Sequence, residues 1–253
     1  MIIDTPKREQ ETALRALWKE AFGDTDRFLE LFWQTAFSKS RCRCVTEGER
    51  ITAALYWFDC LCRGQKIAYL YAVATAKAHQ GRGLCRRLME NTHAHLASLG
   101  YTGAILVPGN QGLFDLYARL GYSTCCEIRT IDATPSQKAI PLRSVSVEEY
   151  ATLRRSLLPE GGVLQEGENL SFLSTQADLF AGEGFVLAAR RDGNRLLGSE
   201  LLGDSSVFPQ VLSALDCTEG RVRIPGQGQP FAMYHPLPPS SALPPTYLGL
   251  AFD

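Results

Sequence analysis

A glycine turn between an apolar run and an amphipathic segment constrains this chain more than any other feature. Ile67-Ala68-Tyr69-Leu70-Tyr71-Ala72-Val73-Ala74 is almost wholly apolar, as a strand covered on both faces must be. His79-Gln80-Gly81-Arg82-Gly83 follows, and Leu84-Cys85-Arg86-Arg87-Leu88-Met89 opens a helix predicted to reach Leu99 and to stop at Gly100. A glycine turn that starts a helix directly after a buried strand is an anion site. Free backbone N–H groups and the positive end of the helix dipole converge on one spot. Gly81 and Gly83 permit φ > 0 and keep side chains out of the way, while Arg82, Arg86 and Arg87 add positive charge. The spacing is not that of a dinucleotide fingerprint, because Arg86 stands where the third glycine is required, and no G-K-[ST] follows for a P-loop.

The 253 residues suffice for one large domain or two modest ones, and 45% apolar with 21% charged residues is ordinary for a chain that buries a core. A net charge of -1 gives no footprint for nucleic acid or an anionic membrane surface. The first residues lack a signal-peptide layout, and no apolar run approaches the ~20 residues of a membrane span. The expectation is a soluble, cytoplasmic protein. Of the eight cysteines, Cys42/Cys44 and Cys60/Cys62 form two C-x-C pairs. On paired strands their four sulfurs can converge. Zinc ligands are usually spaced more widely, and reduced thiols packed as small apolar residues are the expectation, with no metal.

Helical periodicity marks residues 8–22 and 25–37, and a hairpin over Arg43–Thr46 and Ile51–Phe58 follows. After the glycine turn and its helix, Gly103–Val107 is a short strand. Pro108-Gly109-Asn110 then breaks the chain, and Leu113, Leu116, Tyr117 and Leu120 share one face of a second helix. Ser123–Ile131 is a further strand. Residues 132–143, with Pro135 and Pro141, read as a linker. Beyond it a capping box at Ser146–Glu149 starts a helix, and Asp192-Gly193-Asn194 marks a hairpin between Phe185–Arg190 and Arg195–Leu201. Val207–Leu215 is a helix candidate, and Arg221–Ile224, Phe231–His235 and Tyr247–Phe252 are strand candidates. No internal repeat is evident in the sequence.

Two segments, each after a buried strand, carry a family pattern. Gln80, Gly83 and Cys85 fall on [RQ]-x-x-G-x-[GA], with Cys85 in place of the small third residue. Asn110, Tyr117, Gly121 and Tyr122 fit an Asn followed seven residues on by Tyr and then x-x-x-G-[FY]. On these motifs residues 1–131 resemble the GNAT acetyltransferase superfamily. The resemblance implies a mixed sheet with helices on both faces over residues 1–135, acting as an acyl-CoA-binding catalytic domain. Residues 140–253 then form a smaller α+β domain, a degenerate GNAT-like half without a phosphate loop, on the acceptor side or at an interface. It also implies acetyl-CoA as co-substrate. Backbone groups at Val73 and Thr75 take the pantetheine arm, and Gln80, Gly81, Arg82, Gly83, Leu84, Cys85 and Arg86 take the pyrophosphate. Asn110 bonds the pantetheine end, and Tyr117 sits beside the thioester sulfur as the acid.

The implied reaction is transfer of acetyl to a primary amine of a small molecule or peptide. Aminolysis of a thioester needs a free amine, a site for the developing oxyanion and a proton for the thiolate. The strand Ile67–Ala74 carries no carboxylate. Asp59, Tyr71, His79, Glu127, the chain end at Asp253 and a water relay all remain open as the base. His93 and His95, two apart, do not share a helical face and are read as solvated or interface residues. The rival reading is an acyl-CoA-binding protein with little or no turnover, supported by Cys85 and the missing base. The acceptor and the oligomeric state stay open.

Overall fold

The computed structural model describes residues 1–239 and 242–252, which form two compact units. The first comprises Met1–Ser123 and Met233–Leu243, and the second Thr124–Ala232 and the chain from Pro244. The division expected between residues 135 and 140 does not coincide with these units. A linker composition marks exposed, proline-bearing chain, whereas strand pairing decides to which unit a segment belongs.

In the first unit, β1 (Ile2–Asp4) is followed by α1 (Glu11–Phe22) and α2 (Asp26–Thr35). α1 ends where Gly23 turns left-handed at φ 75, and the Thr25 side chain caps α2 by accepting from Phe28 N. β2 (Cys42–Glu47), β3 (Arg50–Cys62) and β4 (Gln65–Thr75) form an antiparallel meander. β3 runs four residues past the Phe58 end read from the sequence and turns at Arg63-Gly64. Then come α3 (Leu84–Ser98), β5 (Gly103–Leu106) and α4 (Gln111–Ala118).

Strand alternation divides the core. Tyr56 and Phe58 on β3, with Tyr69 and Tyr71 on β4, meet an aromatic layer from α1 and α2, where Trp18 and Phe32 lie 4.7 Å apart and Trp18 and Tyr56 5.0 Å apart. Leu55, Trp57, Ala68 and Leu70 face the other way and pack with Leu84, Leu88, Met89 and Leu96 of α3. The central strand is thus covered on both faces, as its apolar run requires. The two C-x-C pairs do not converge. The register sets Cys42 opposite Tyr56 but Cys60 opposite Ile67, so the pairs lie far apart along β3.

One irregularity in β4 matters for function. Ala54 pairs with Ala74, yet Tyr56 pairs with Tyr71, so β4 has one residue more than β3 in this interval. The extra residue is a β-bulge, and Ala72 within it has φ 49, a costly region for a residue with a Cβ. The parallel ladder to β5 covers Ile67–Gly103, Ala68–Ala104 and Tyr69–Ile105. It stops before the bulge.

In the second unit, β6 (Ser123–Ala133, from Thr124 onward) precedes β7 (Arg143–Ser144) and α5 (Val147–Leu157), which Ser146 caps by accepting from Glu149 N. β8 (Leu164–Gln165), α6 (Glu168–Leu173), β9 (Asp178–Gly182), β10 (Phe185–Asp192) and β11 (Arg195–Gly203) come next. α7 (Phe208–Ala214), β12 (Glu219–Pro225) and β13 (Gln229–Pro236) complete the chain's regular elements. β12 pairs antiparallel with β6, from Gly220–Ala133 to Pro225–Ile128. β13 starts in this unit, and its end from Met233 to Pro236 pairs with β5 in the first.

Tyr247–Phe252 is not a strand. It is held instead by Val163 N donating to Tyr247 O at 2.8 Å and by the Gln165 side chain, which gives to Leu250 O at 2.6 Å and takes from Leu250 N at 3.2 Å. A side-chain amide supplies the hydrogen bonds that a neighbouring strand would otherwise supply.

A repeat invisible in the sequence appears in the topology. β2-β3-β4 is an antiparallel meander followed by α3 and a strand parallel to β4, and β9-β10-β11 is one followed by α7 and a strand parallel to β11. The second copy also carries a bulge in its third strand, since Ala188 pairs with Glu200 and Ala189 with Gly198. Next to it lies a buried ion pair. Arg154 Nε donates to Glu200 Oε2 at 2.6 Å and Nη2 to Oε1 at 3.0 Å, while the Tyr247 hydroxyl gives to Oε1 at 3.0 Å. Breaking one side leaves a buried charge unmatched. Arg154→Met should therefore cost about 3–5 kcal/mol in urea unfolding, and adding Glu200→Leu should restore much of it. A single-variant loss below about 1 kcal/mol would show that water already reaches the pair.

Candidate functional site

The bulged end of β4, the glycine turn and one face of α4 enclose a cavity of about 490 Å³ in the first unit. Val73 and Thr75 come from β4, and Gln80, Gly81 and Gly83 from the turn. Leu84, Cys85 and Arg86 form the first turn of α3, and Tyr117 comes from α4; all of these line it. Nine of the eleven residues singled out from the sequence thus meet around one space.

Gly83 is the residue before the helix, at φ 75 and ψ 11, and a Cβ there would meet nothing within 4 Å. The space in front of it is open, so glycine is needed for its backbone angle and for ligand access. The first intrahelical bond from this end is Arg87 N to Gly83 O at 3.2 Å. The amides of Leu84, Cys85 and Arg86 are the orphan donors of the helix start. Gln80 Nε2 donates to Thr75 O at 3.2 Å and ties the turn to the end of β4. Arg86 reaches Arg119 O at 3.3 Å at the C-terminal end of α4.

Two expected residues do not line the cavity. Arg82 pairs with Glu47 at 3.2 Å, so that carboxylate draws its guanidinium away. Asn110 caps α4, its Oδ1 accepting from Leu113 N at 3.1 Å, which makes its first role that of fixing the helix bearing Tyr117. Conversely, His79, kept open only as a base, and Leu113, Leu116 and Leu120, read only as a helical face, also line the cavity. The leucines share a helical face with Tyr117, a pattern that looks the same whether it meets a core or a ligand. The three-residue turn Lys77–His79 brings His79 to the cavity wall.

Two of the lining side chains are held neutral. Burial raises the Cys85 thiol pKa despite the opposing pull of Arg86. Burial, with Cys85 nearby, also raises the pKa of Tyr117, so both groups keep their protons. Among the described residues lining the cavity there is no carboxylate. Asp59 is opposite Ala68, five residues or ~17 Å along β4 from Val73, and it accepts from the Tyr101 hydroxyl and pairs with Arg41. Tyr71 packs against Trp18 at 5.6 Å. Glu127 accepts from Gly228 N at 3.0 Å and lines a separate cavity of about 660 Å³ in the second unit. Asp253 lies outside the described residues. His93 bonds the Tyr122 hydroxyl at 2.7 Å and stacks on His235, and burial with His235 lowers its pKa to about 3. His95 packs edge-on against Trp57.

Residues 3–125 match the family described as "Acetyltransferase (GNAT) domain". The crystal structure of a GCN5-related N-acetyltransferase from Anabaena variabilis is similar with a TM-score of 0.74 at 13% identity, over 92% of this chain and 72% of that one. One from Kribbella flavida gives 0.71 at 14% identity, over 92% and 70%. A tandem GNAT protein from the clavulanic acid biosynthesis pathway covers 95% of this chain and 100% of its own, with a TM-score of 0.57 at 11% identity. At these identities the likeness is one of fold. Among curated proteins, none has significant sequence similarity to the chain. The family match thus covers residues 3–125, and the fold of a tandem GNAT protein is similar over 95% of the chain.

All eight cysteines are free thiols, and among the described residues no group of three or more His, Cys, Asp or Glu comes together as a metal site. No helix among them is long and apolar enough to cross a membrane. Cys85 and Cys125 are half-buried and the other six buried. A thiol reagent should therefore label two sites quickly in the native protein and eight after denaturation, with no stoichiometric zinc by elemental analysis. Early labelling at Cys42 or Cys60 would contradict the packing of β2 and β3.

Proposed function

We propose that the protein transfers acetyl from acetyl-CoA directly to a primary amine. The observation that carries this reading is the cavity itself. The donors of the α3 start, the bulged end of β4 and the Tyr117 phenol open onto one space. An acyl-CoA is anionic at its pyrophosphate and neutral at its thioester, and the cavity wall offers partners of both kinds: the free amides of the helix start with Arg86, and the protonated side chains of Cys85 and Tyr117.

In this reading the pyrophosphate lies on the N–H groups of residues 83–86, and the pantetheine arm adds to β4 by hydrogen bonds at Val73 and Thr75. A backbone N–H near Val73 takes the oxyanion. The amine attacks the thioester carbonyl, the C–S bond breaks and the acyl group stays on nitrogen. CoA leaves as thiolate and gains one proton as the amine loses one. The raised pKa of Tyr117 keeps its phenol protonated, so it is available to hydrogen-bond the departing sulfur. No carboxylate stands among the described residues that line the cavity, and the acceptor of the amine proton stays open between His79 and a water relay. The first unit is the catalytic part, and the second shapes the acceptor side or an interface. The near-zero net charge favours a small-molecule or peptide amine over nucleic acid.

The absent carboxylate also favours the rival reading, an acyl-CoA-binding protein with little turnover. A CoA-release assay over a panel of amines separates the two: binding without release with any amine supports the rival.

Acetyl-CoA should raise the melting temperature, as a ligand specific to the native state does. Gly83→Asp, which adds a side chain and a negative charge at the cradle, should abolish the shift. A shift of undiminished size in this variant would remove the glycine turn from the site.

Tyr117→Phe deletes one hydroxyl. If that hydroxyl serves the leaving thiolate, kcat falls by ~10²–10⁴ with acetyl-CoA affinity little changed. Near-full kcat, with product release shown not to limit turnover, would make Tyr117 a packing residue only.

A further inference from the structure

The short helix that carries Tyr117 is fixed at its start by Asn110 and at its end by two histidines that the proposed reaction does not use. Tyr117 is the last residue but one of α4, where a helix frays unless its last carbonyls are bonded. Its own carbonyl takes the amides of Leu120, at 2.9 Å, and Tyr122, at 3.0 Å, so the chain folds back on the Tyr117 backbone. The Tyr122 ring then meets the Tyr117 ring edge-on at 5.8 Å.

Residues 121 and 122 are in turn clasped from α3 and β13, all within the first unit. Tyr122 is buried, and His93 Nε2 of α3 lies 2.7 Å from its hydroxyl, which gives that polar group its partner. His235 of β13 donates from Nδ1 to Gly121 O at 2.9 Å; a carbonyl only accepts, so the proton is on that nitrogen. The two imidazoles stack at 4.4 Å and 15°. Burial with His235 keeps His93 uncharged, so the rings stack without like-charge repulsion. Tyr122 lies against both, 5.6 Å from His93 and 5.2 Å from His235. Gly121 makes room for this, since φ is 87 there and a Cβ would come within 3.1 Å of the His235 ring. A phenol that serves a leaving sulfur must stay within hydrogen-bond reach as the bond breaks, and Tyr117 is only as well placed as the end of its helix.

We propose that His93 and His235 are positioning residues for acyl transfer: they hold Gly121 and Tyr122, and through the Tyr122 ring they hold the Tyr117 phenol at the thioester. This rests on Tyr117 being the acid of the reaction proposed above.

Kinetics in two backgrounds test this. His93→Leu removes the partner of the Tyr122 hydroxyl and should lower kcat about 10- to 100-fold, with the calorimetric affinity for acetyl-CoA little changed. His93→Gln, which can place an amide where Nε2 stands, should keep most of kcat. Tyr122→Phe deletes the other half of the bond but keeps the ring, so it should match His93→Leu and replaces it if that variant does not fold. His235→Leu, which frees Gly121 O, should lower kcat in the same way, and His235→Asn should restore it. In a Tyr117→Phe background none of these changes should cost more, because the acid they position is gone. With isotope-labelled tyrosine rings, the NMR signal that Tyr117→Phe deletes should shift or broaden in His93→Leu and not in His93→Gln. An equal fall in kcat with and without the Tyr117 hydroxyl overturns the proposal, as does an unchanged kcat in His93→Leu and Tyr122→Phe when Tyr117→Phe is impaired. An unchanged kcat in His235→Leu alone removes His235 from it. Near-full kcat in Tyr117→Phe removes the acid reading itself, a result obtained before either histidine is altered.

Discussion

The extra residue in β4 is the constraint on which the site depends. Up to Tyr69 this strand is an ordinary centre strand, antiparallel to β3 and parallel to β5. A strand bonded on both edges has no backbone group to offer a ligand. The bulge at Ala72 shifts the register against β3 and comes just after the β5 ladder has ended. It is held at a positive φ by a residue with a Cβ, a local strain of order 1–2 kcal/mol. The packed faces on either side stabilise it, with α1 and α2 over Tyr69 and Tyr71 and α3 over Ala68 and Leu70. The glycine turn begins a few residues later, so the strand's irregular end and the helix's free amides serve the same space.

The second unit carries the same device, and protein side chains occupy it. Its meander, bulge and crossover repeat those of the first, and the parallel ladder of β11 with β12 likewise ends at Gly198, before the bulge. Here Glu200 follows the irregular residue, fully buried between Arg154, Tyr150 and Tyr247. A Cβ on Gly249 would collide with the same carboxylate. The helix after the third strand is only seven residues long and has Pro209 in its first turn, with no glycine turn before it. Such a buried pair adds little net stability compared with apolar packing. Its effect is to close, with charge matched to charge, the kind of opening that lies at the bulged end of β4 in the first unit.

What was legible in the sequence was what is local. The Gly83 turn, the α4 cap by Asn110 and the hairpin at Gly193 depend on backbone angles or on a bond within three residues. What was not legible depends on partners distant in sequence. Ala72 looks like any other member of an apolar run, and only its register against Tyr56 and Ala54 reveals the bulge. Tyr247–Phe252 has strand composition, but whether it is a strand depends on a neighbour, and Gln165 takes that place. The two halves share a topology that needs only alternation and turns, which leave no matching residues. The extent of the two compact units is not local either, since β6 and the end of β13 belong with strands far away in the chain.

His79 shows the limit of sequence from the other side. Nothing in His79-Gln80-Gly81 distinguishes a solvated histidine from one on a cavity wall. Its place follows from Glu47, thirty-two residues earlier at the tip of a hairpin. That carboxylate settles two side chains at once, holding the Arg82 guanidinium off the cavity and facing the imidazole of His79. The strand that carries Glu47 has no part in either family motif, so the motifs alone could not show this contact.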